Sequence, residues 1–405
     1  MKKYINLTVF IAVLTLIIYG CQAEDSHGPY GSDGDAPGVV TVDNVVNRPG
    51  GAVIYYTPPA DVDLLYVKAS FNDDRGRSRE VRVSQVIDSL VIEGFGQVGE
   101  YNVTLNAVDR GENFSAPTNV EISPLTPPVQ LIFPTLVGEV AYGGINIAFE
   151  NPLEAEVSIN IEVFDETQGE FVYRESFFTS QADGDYTFRG YPAVLTEFAV
   201  YIEDRWENVS EKVYFEVTPI PDEYLEKTLF SIFTLQGDKD FNHDNDVFGE
   251  TQMWDNVSNS QWNGGHTNGT TPLPHYLTID LGVNVKLSRF KLFQRTGEEI
   301  YKHGNPKIFN VYGVTDVNDL PPYNSASPNE GWTLLKQCES FKPSGLPVGQ
   351  VTAEDREFQS KGEDFEFDVD NLVEVRYIRF EILENWGNID NTVIGELSFW
   401  GEIAE

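Results

Sequence analysis

The chain has 405 residues, enough for roughly two to four ordinary domains, and its 41% hydrophobic and 13% aromatic content supports real cores and excludes general disorder. Lysine and arginine total 27 against 64 aspartates and glutamates, a formal charge of −37. A surface this acidic repels a phosphate backbone, which excludes nucleic acid as a partner.

In chain order, Lys2 and Lys3 precede an apolar run from Leu7 to Tyr19 that ends at Gly20 and Cys21. The run falls short of the roughly 20 residues a membrane-crossing helix needs, so residues 1–20 read as a secretory signal. The ending Ile18-Tyr19-Gly20-Cys21 resembles a bacterial lipobox, which implies that Cys21 carries lipid after cleavage. The following Gln22-Ala23-Glu24-Asp25 resembles the acidic tag that sends lipoproteins of the Bacteroidetes type to the outer face of the outer membrane. With Cys21 lipidated, Cys338 has no disulfide partner in the chain and reads as a small buried hydrophobe. Residues 21–37, rich in Gly, Asp, Ser and Pro, read as a flexible tether.

From 38 to 125 short alternating runs (Val39–Val46, Ala52–Tyr56, Leu64–Ser70, Arg79–Val83, Ser89–Ile92, Glu100–Val108) are punctuated by turn chemistry at Pro49-Gly50-Gly51 and Asp73-Asp74-Arg75-Gly76. That spacing predicts a β-sandwich. The run Gly99–Asp109 resembles the sixth strand of a fibronectin type III domain, with Tyr101 where that family places a corner tyrosine. Asp109-Arg110-Gly111-Glu112-Asn113-Phe114-Ser115 recurs as Asp204-Arg205-Trp206-Glu207-Asn208-Val209-Ser210, and Glu121–Leu125 recurs at the same offset as Glu216–Ile220. A second Ig-like sandwich over 126–221 follows. The repeated element reads as a turn whose Asp and Asn tie down backbone groups. Prolines at Pro124–Pro128 and Pro219–Pro221 predict extended connections, and the two sandwiches read as a rod-like spacer. In architecture they resemble the N-terminal domains of lipoproteins found with outer-membrane glycan-uptake systems.

Residues 222–405 form the last domain with its linker. His275–Arg295 reads as two strands around a turn at Gly282, Pro306–Val314 as another, and Glu374–Gly401 as two more with a loop at Asn385-Trp386-Gly387-Asn388 between them. The motifs TIDLG, RFKLFQR, NPKIFNVYGVTD, EVRYIRFEI and GELSFWG, in that order, resemble the discoidin-like domain, also called coagulation factor V/VIII type C, over Glu226–Ile403. The resemblance implies a jelly-roll sandwich related to family 32 carbohydrate-binding modules. The expected fold is therefore all-β: two tandem Ig/fibronectin III-like sandwiches, then a discoidin-like jelly roll.

The same resemblance implies a structural calcium held by Asp255, the Val257 carbonyl, Ser260 and Glu396; otherwise Asp255 caps a turn. Trp262 reads as core. A sugar needs an aromatic face for its C–H surface and planar donors and acceptors for its hydroxyls. The loops offer Trp386 as platform, with Asn385, Arg295, His303, Asn305 and His266 as polar contacts, although loop bracing or ion pairing competes for each polar residue. No nucleophile elbow, zinc-binding His pair or phosphate loop occurs, so no enzyme is read here. The expected function is glycan capture at the cell surface, anchored in the outer membrane through Cys21 beside transporter components. The competing expectation is an adhesion or structural protein that grips a protein partner.

Overall fold

A computed structural model describes residues 35–243 and 248–404, so the signal segment, Cys21 and the acidic tag lie outside the described residues. The chain divides into two compact units, Met1–Gly138 with Ile147–Tyr186 and Glu197–Phe215, and Glu139–Asn146 with Thr187–Thr196 and Glu216–Glu405.

Seven strands make the first sandwich: β1 (Thr41–Arg48), β2 (Gly51–Thr57), β3 (Leu64–Asn72), β4 (Ser78–Ser84), β5 (Ser89–Glu93), β6 (Tyr101–Asp109) and β7 (Thr118–Ile122). They form a three-stranded sheet, β1-β2-β5, and a four-stranded sheet, β4-β3-β6-β7. Alternation fixes which side chains face inward: Val67 and Ala69 from β3, Val103 and Leu105 from β6, and Ile54, Leu90 and Ile92 from the other sheet share one core. The Tyr101 hydroxyl donates to the Gln97 carbonyl at 3.1 Å, which ties the corner before β6.

The next seven strands repeat the plan: β8 (Val137–Ala141), β9 (Gly144–Glu150), β10 (Val157–Asp165), β11 (Glu170–Thr179), β12 (Asp183–Arg189), β13 (Thr196–Asp204) and β14 (Val213–Val217). Their strand orders, β12-β9-β8 and β11-β10-β13-β14, match the first sandwich strand for strand. The repeated turn repeats in its bonds as well. Asp109 Oδ1 accepts from the Gly111 and Asn113 amides at 2.7 and 2.8 Å. Asp204 Oδ1 accepts from Trp206 and Asn208 at 2.8 and 2.9 Å. Ser115 and Ser210 each take the amide of a strand residue at 2.9 Å, Ala107 and Ile202. The first connection departs from the extended path expected of its prolines. Pro128–Ile132 is a short helix, α1, because Pro128 opens it at the one position where a missing N–H and a fixed φ favour a helix.

The remaining strands are β15 (Glu223–Tyr224), β16 (Ser231–Ile232), β17 (Gly265–His266), β18 (His275–Phe293), β19 (Pro306–Val314), β20 (Thr333–Glu339), β21 (Glu363–Glu366), β22 (Glu374–Asn385), β23 (Val393–Ile394) and β24 (Glu396–Ile403). The main sheet runs β15-β24-β18-β22-β19-β20. The expected turn at Gly282 is a break in pairing inside one long element. Its partner on β22 jumps from Tyr377 opposite Asp280 to Val375 opposite Val285, and Gly282 takes φ 77°. Phe290 centres the core, stacked on Phe365 at 5.0 Å and edge-on to Phe380 at 5.6 Å. A helix, α2 (Ala353–Ser360), stands where no helix was expected; Thr352 and Asp355 cap it reciprocally.

Candidate functional site

One end of the third sandwich is built from the segment 248–266, the end of β18 with the loop to β19, and the loop 385–391. Two buried amides set the middle loop. Asn305, 1% exposed, accepts from the Arg295 amide at 2.9 Å and donates to the Glu299 and Lys302 carbonyls at 2.8 and 3.2 Å. Gln294 accepts from the Tyr301 amide at 2.9 Å and donates to Ser340 Oγ at 3.2 Å. Held this way, Tyr301 and His303 take left-handed φ values of 53° and 55°, a conformation non-glycine residues reach only when their surroundings impose it.

The loop 385–391 lies against it. Gly387 donates to the His303 carbonyl at 2.7 Å, and Trp386 to the Asn305 carbonyl at 2.9 Å. A Cβ on Gly387 would stand 2.5 Å from the His303 carbonyl oxygen and 2.7 Å from its Cα and N, so only glycine fits. Asn385 is spent inside its own loop: its Nδ2 donates to the Ile389 and Asn391 carbonyls at 2.8 and 2.7 Å, and its Oδ1 accepts from the Ile389 amide.

These contacts correct several expected contact residues. Asn305 and Asn385 are braces with every polar atom engaged, not ligand contacts. Trp386 is only partly exposed. Its Nε1 donates to Ser340 Oγ at 3.1 Å, Tyr301 meets it edge-on at 5.0 Å, and the Lys307 ammonium stands 5.5 Å from its ring. It is a wall residue, not a bare platform. His266 is buried and bonded through Nδ1 to the Thr267 carbonyl.

Trp262, read as core, is instead 61% exposed. The Arg295 guanidinium lies 4.9 Å from its ring centre and 5.1 Å from that of buried Phe248, and Arg295 Nε donates to the Gln261 carbonyl at 2.5 Å. A buried cation wedged between two rings fixes an exposed indole that no core contact explains. Beside it run the imidazoles: His266 lies 5.0 Å from Phe248, 5.3 Å from His243 and 5.6 Å from His303. Burial holds His266 down at about 4, and burial, opposed by Glu299, lowers His303. Both rings are therefore neutral at pH 7, each with one N–H and one bare nitrogen. His303 is partly exposed, but its Nδ1 is buried and has no hydrogen-bond partner among the described residues. The structure thus sets Arg295 and Phe248 against Trp262, His266 against Phe248 and His303 against His266, and holds Asn305 and Asn385 by hydrogen bonds within their own loops. Phe248 and His243 went unread; the flag for Trp262 is the polar Gln261-Trp262-Asn263-Gly264 context, the same kind that singled out Trp386.

The expected calcium set is not assembled for a metal. Glu396 Oε1 is taken by the Lys227 ammonium and accepts from the Asn256 amide at 3.0 Å. Asp255 Oδ1 accepts from the Val257 amide and Asn263 Nδ2 at 2.9 and 3.0 Å. The Val257 carbonyl faces Asn263 Nδ2 at 3.3 Å, and Ser260 Oγ caps the Trp262 amide at 3.0 Å. Glu396 Oε1, Asp255 Oδ1, the Val257 carbonyl and Ser260 Oγ each already accept from an N–H, while Glu396 Oε2 is buried without a hydrogen-bond partner among the described residues. Asp255 is thus the turn cap of the alternative reading.

Three families described as domains of unknown function match in series: DUF4959 over 37–124, DUF5126 over 125–228 and DUF5000 over 254–401. No curated protein matches the chain. Among solved structures, CBM32-3 from a family 31 glycoside hydrolase of Clostridium perfringens is similar at 17% identity, over 44% of this chain and 95% of that one, with a TM-score of 0.31. The C-terminal domain of a chitobiase from Bacteroides fragilis is similar at 17% identity, over 45% of this chain and 100% of that one, with a TM-score of 0.30. A SusE-like protein is similar at 30% identity, over 69% of this chain, with a TM-score of 0.42. That identity extends over 100% of the SusE-like chain, and on this likeness of sequence the protein belongs to the SusE-like family.

Proposed function

We propose that this chain is a non-catalytic cell-surface protein that binds a glycan at the loop end of its third sandwich, as part of a SusE-like outer-membrane uptake system. One observation carries the reading: an indole 61% exposed, fixed by a buried guanidinium beside neutral imidazoles. Trp262 offers the apolar face for a pyranose, and the exposed part of the His303 ring one polar contact for a hydroxyl. Arg295 positions the indole. The likeness to a SusE-like protein supports placement at the outer membrane, with lipid on Cys21 as the anchor and transporter components as neighbours. One shallow site binds weakly, and neighbouring binders raise avidity through effective concentration.

Calorimetric titration of wild type and Trp262→Ala with a panel of poly- and oligosaccharides tests the reading. The substitution should weaken binding by roughly tenfold or more, as truncation of a central aromatic anchor does. Equal affinity for both proteins removes Trp262 from the site, and no binding across the panel removes the glycan.

A further inference from the structure

Glu396, which the discoidin-like resemblance assigns to calcium, is bonded to an ammonium group supplied by the chain itself. Lys227 is 6% exposed, and its only carboxylate partner among the described residues is Glu396, 1% exposed. Lys227 arrives from the segment between β15 and β16, Glu396 opens β24, and Asn256 of the loop that carries Asp255 donates to the same carboxylate oxygen at 3.0 Å. Through Glu396 the ammonium ties the first segment of the domain to its last strand and to the 255–263 loop, and the last two are the parts that a calcium held by Asp255, Val257, Ser260 and Glu396 would join. Tyr224 completes the surround, with its ring centre 5.8 Å from Lys227 Nζ.

The same domain solves a second loop in the same way. Lys342, 5% exposed, donates from Nζ to the Leu346, Pro347 and Gln350 carbonyls at 2.8, 3.1 and 2.6 Å. Three converging backbone carbonyls are the donor set of a small hard cation. A lysine meets them from within the chain, at no cost in captured ion.

We propose that the Lys227 ammonium stands in for calcium at the Glu396 site, so that the third sandwich folds and holds its loop end without a divalent ion. A +2 ion beside Nζ would be repelled by the buried ammonium at close range, and the carboxylate cannot serve both. The inference does not depend on the glycan reading, since it concerns only what organises the domain.

The test is thermal unfolding of the full chain in excess EGTA and in millimolar calcium chloride, followed by tryptophan fluorescence, with terbium luminescence as an independent probe of a bound ion. The wild type should melt at the same temperature in both buffers and show no saturable terbium signal that Glu396→Gln abolishes. Lys227→Met, which leaves the Glu396 carboxylate buried and unpaired, should melt lower in EGTA by roughly 10 °C. A wild-type transition that rises by several degrees in calcium, or a terbium signal lost in Glu396→Gln, overturns the proposal; so does a Lys227→Met variant as stable as the wild type. Should that variant not fold, the wild-type comparison still decides.

Discussion

Glu363 sits beneath the loop end and should impose a measurable fall in stability as pH rises. It is buried on β21, where its Oε2 accepts from Ser340 Oγ at 2.7 Å and its Oε1 from the Phe341 amide. Burial outweighs these bonds and pushes its carboxyl up to about 7. Between the unfolded value near 4.5 and 7 the native state holds a proton that the unfolded state has released, so stability is full below 4.5 and declines as pH rises through 7. Two-state linkage with those values gives a loss on the order of 1 kcal/mol between pH 6 and pH 8. His266, His275 and His303, all lowered by burial, act with the opposite sign: their share is present above about 6.5 and lost as pH falls. Comparison with Glu363→Gln cancels them. Guanidinium unfolding followed by tryptophan fluorescence reports the third sandwich, since every tryptophan but Trp206 lies there. The stability of Glu363→Gln relative to wild type should rise by on the order of 1 kcal/mol from pH 6 to pH 8. A difference that stays flat across that range refutes the buried, protonated carboxyl. Because Ser340 Oγ also accepts from Trp386 Nε1, the same titration should perturb Trp386 emission in the folded protein.

Trp386→Ala should destabilise the third sandwich by about 3 kcal/mol, as loss of a large, hydrogen-bonded, partly buried ring does, whereas Trp262→Ala should cost well under about 1 kcal/mol; chemical denaturation of each separates wall from platform. Asn305→Ala leaves the Arg295 amide without its acceptor and the Lys302 carbonyl without its Asn305 donor, at a cost of about 2–3 kcal/mol by the same measurement. Gly387→Ala cannot place its Cβ against the His303 backbone, so a left-handed His303 should be lost and glycan titration should show weakened binding in a protein that still folds. Thr352→Ala removes the cap of α2 and should cost about 1 kcal/mol.

The sandwiches were legible because their signals are local and repeated. Alternation along β3, β6, β10 and β13 states which face is buried, and DRxENxS states the turn twice, with the same acceptor at Asp109 and Asp204. The α2 helix carried a readable sign in Thr352-Ala353-Glu354-Asp355, but no apolar period accompanies it, which left it without the pattern that reveals most helices. The surroundings of the expected calcium set were hidden for a different reason. Asp255, Ser260 and Glu396 stand at the spacing the resemblance expects, while the residue that changes their chemistry, Lys227, lies far away in sequence and meets Glu396 only once β24 is laid beside β15.

The two tryptophans show where reading from residue types ends. Gln261-Trp262-Asn263-Gly264 and Asn385-Trp386-Gly387-Asn388 have nearly the same composition, and propensity treats them alike. What separates them is a partner for the indole N–H and a ring at its edge. Trp386 finds Ser340 Oγ and Tyr301, both fixed by Gln294 and Gln359 deep in the domain, so its ring is drawn into the wall. Trp262 meets only the Arg295 guanidinium and the rim of Phe248, which hold it in place without covering it. An aromatic loop residue becomes a ligand platform when it is fixed from beneath by charge and left uncovered by hydrogen bonds. By that criterion the loop end presents Trp262 to a sugar and uses Trp386 to hold the loop that shapes the site.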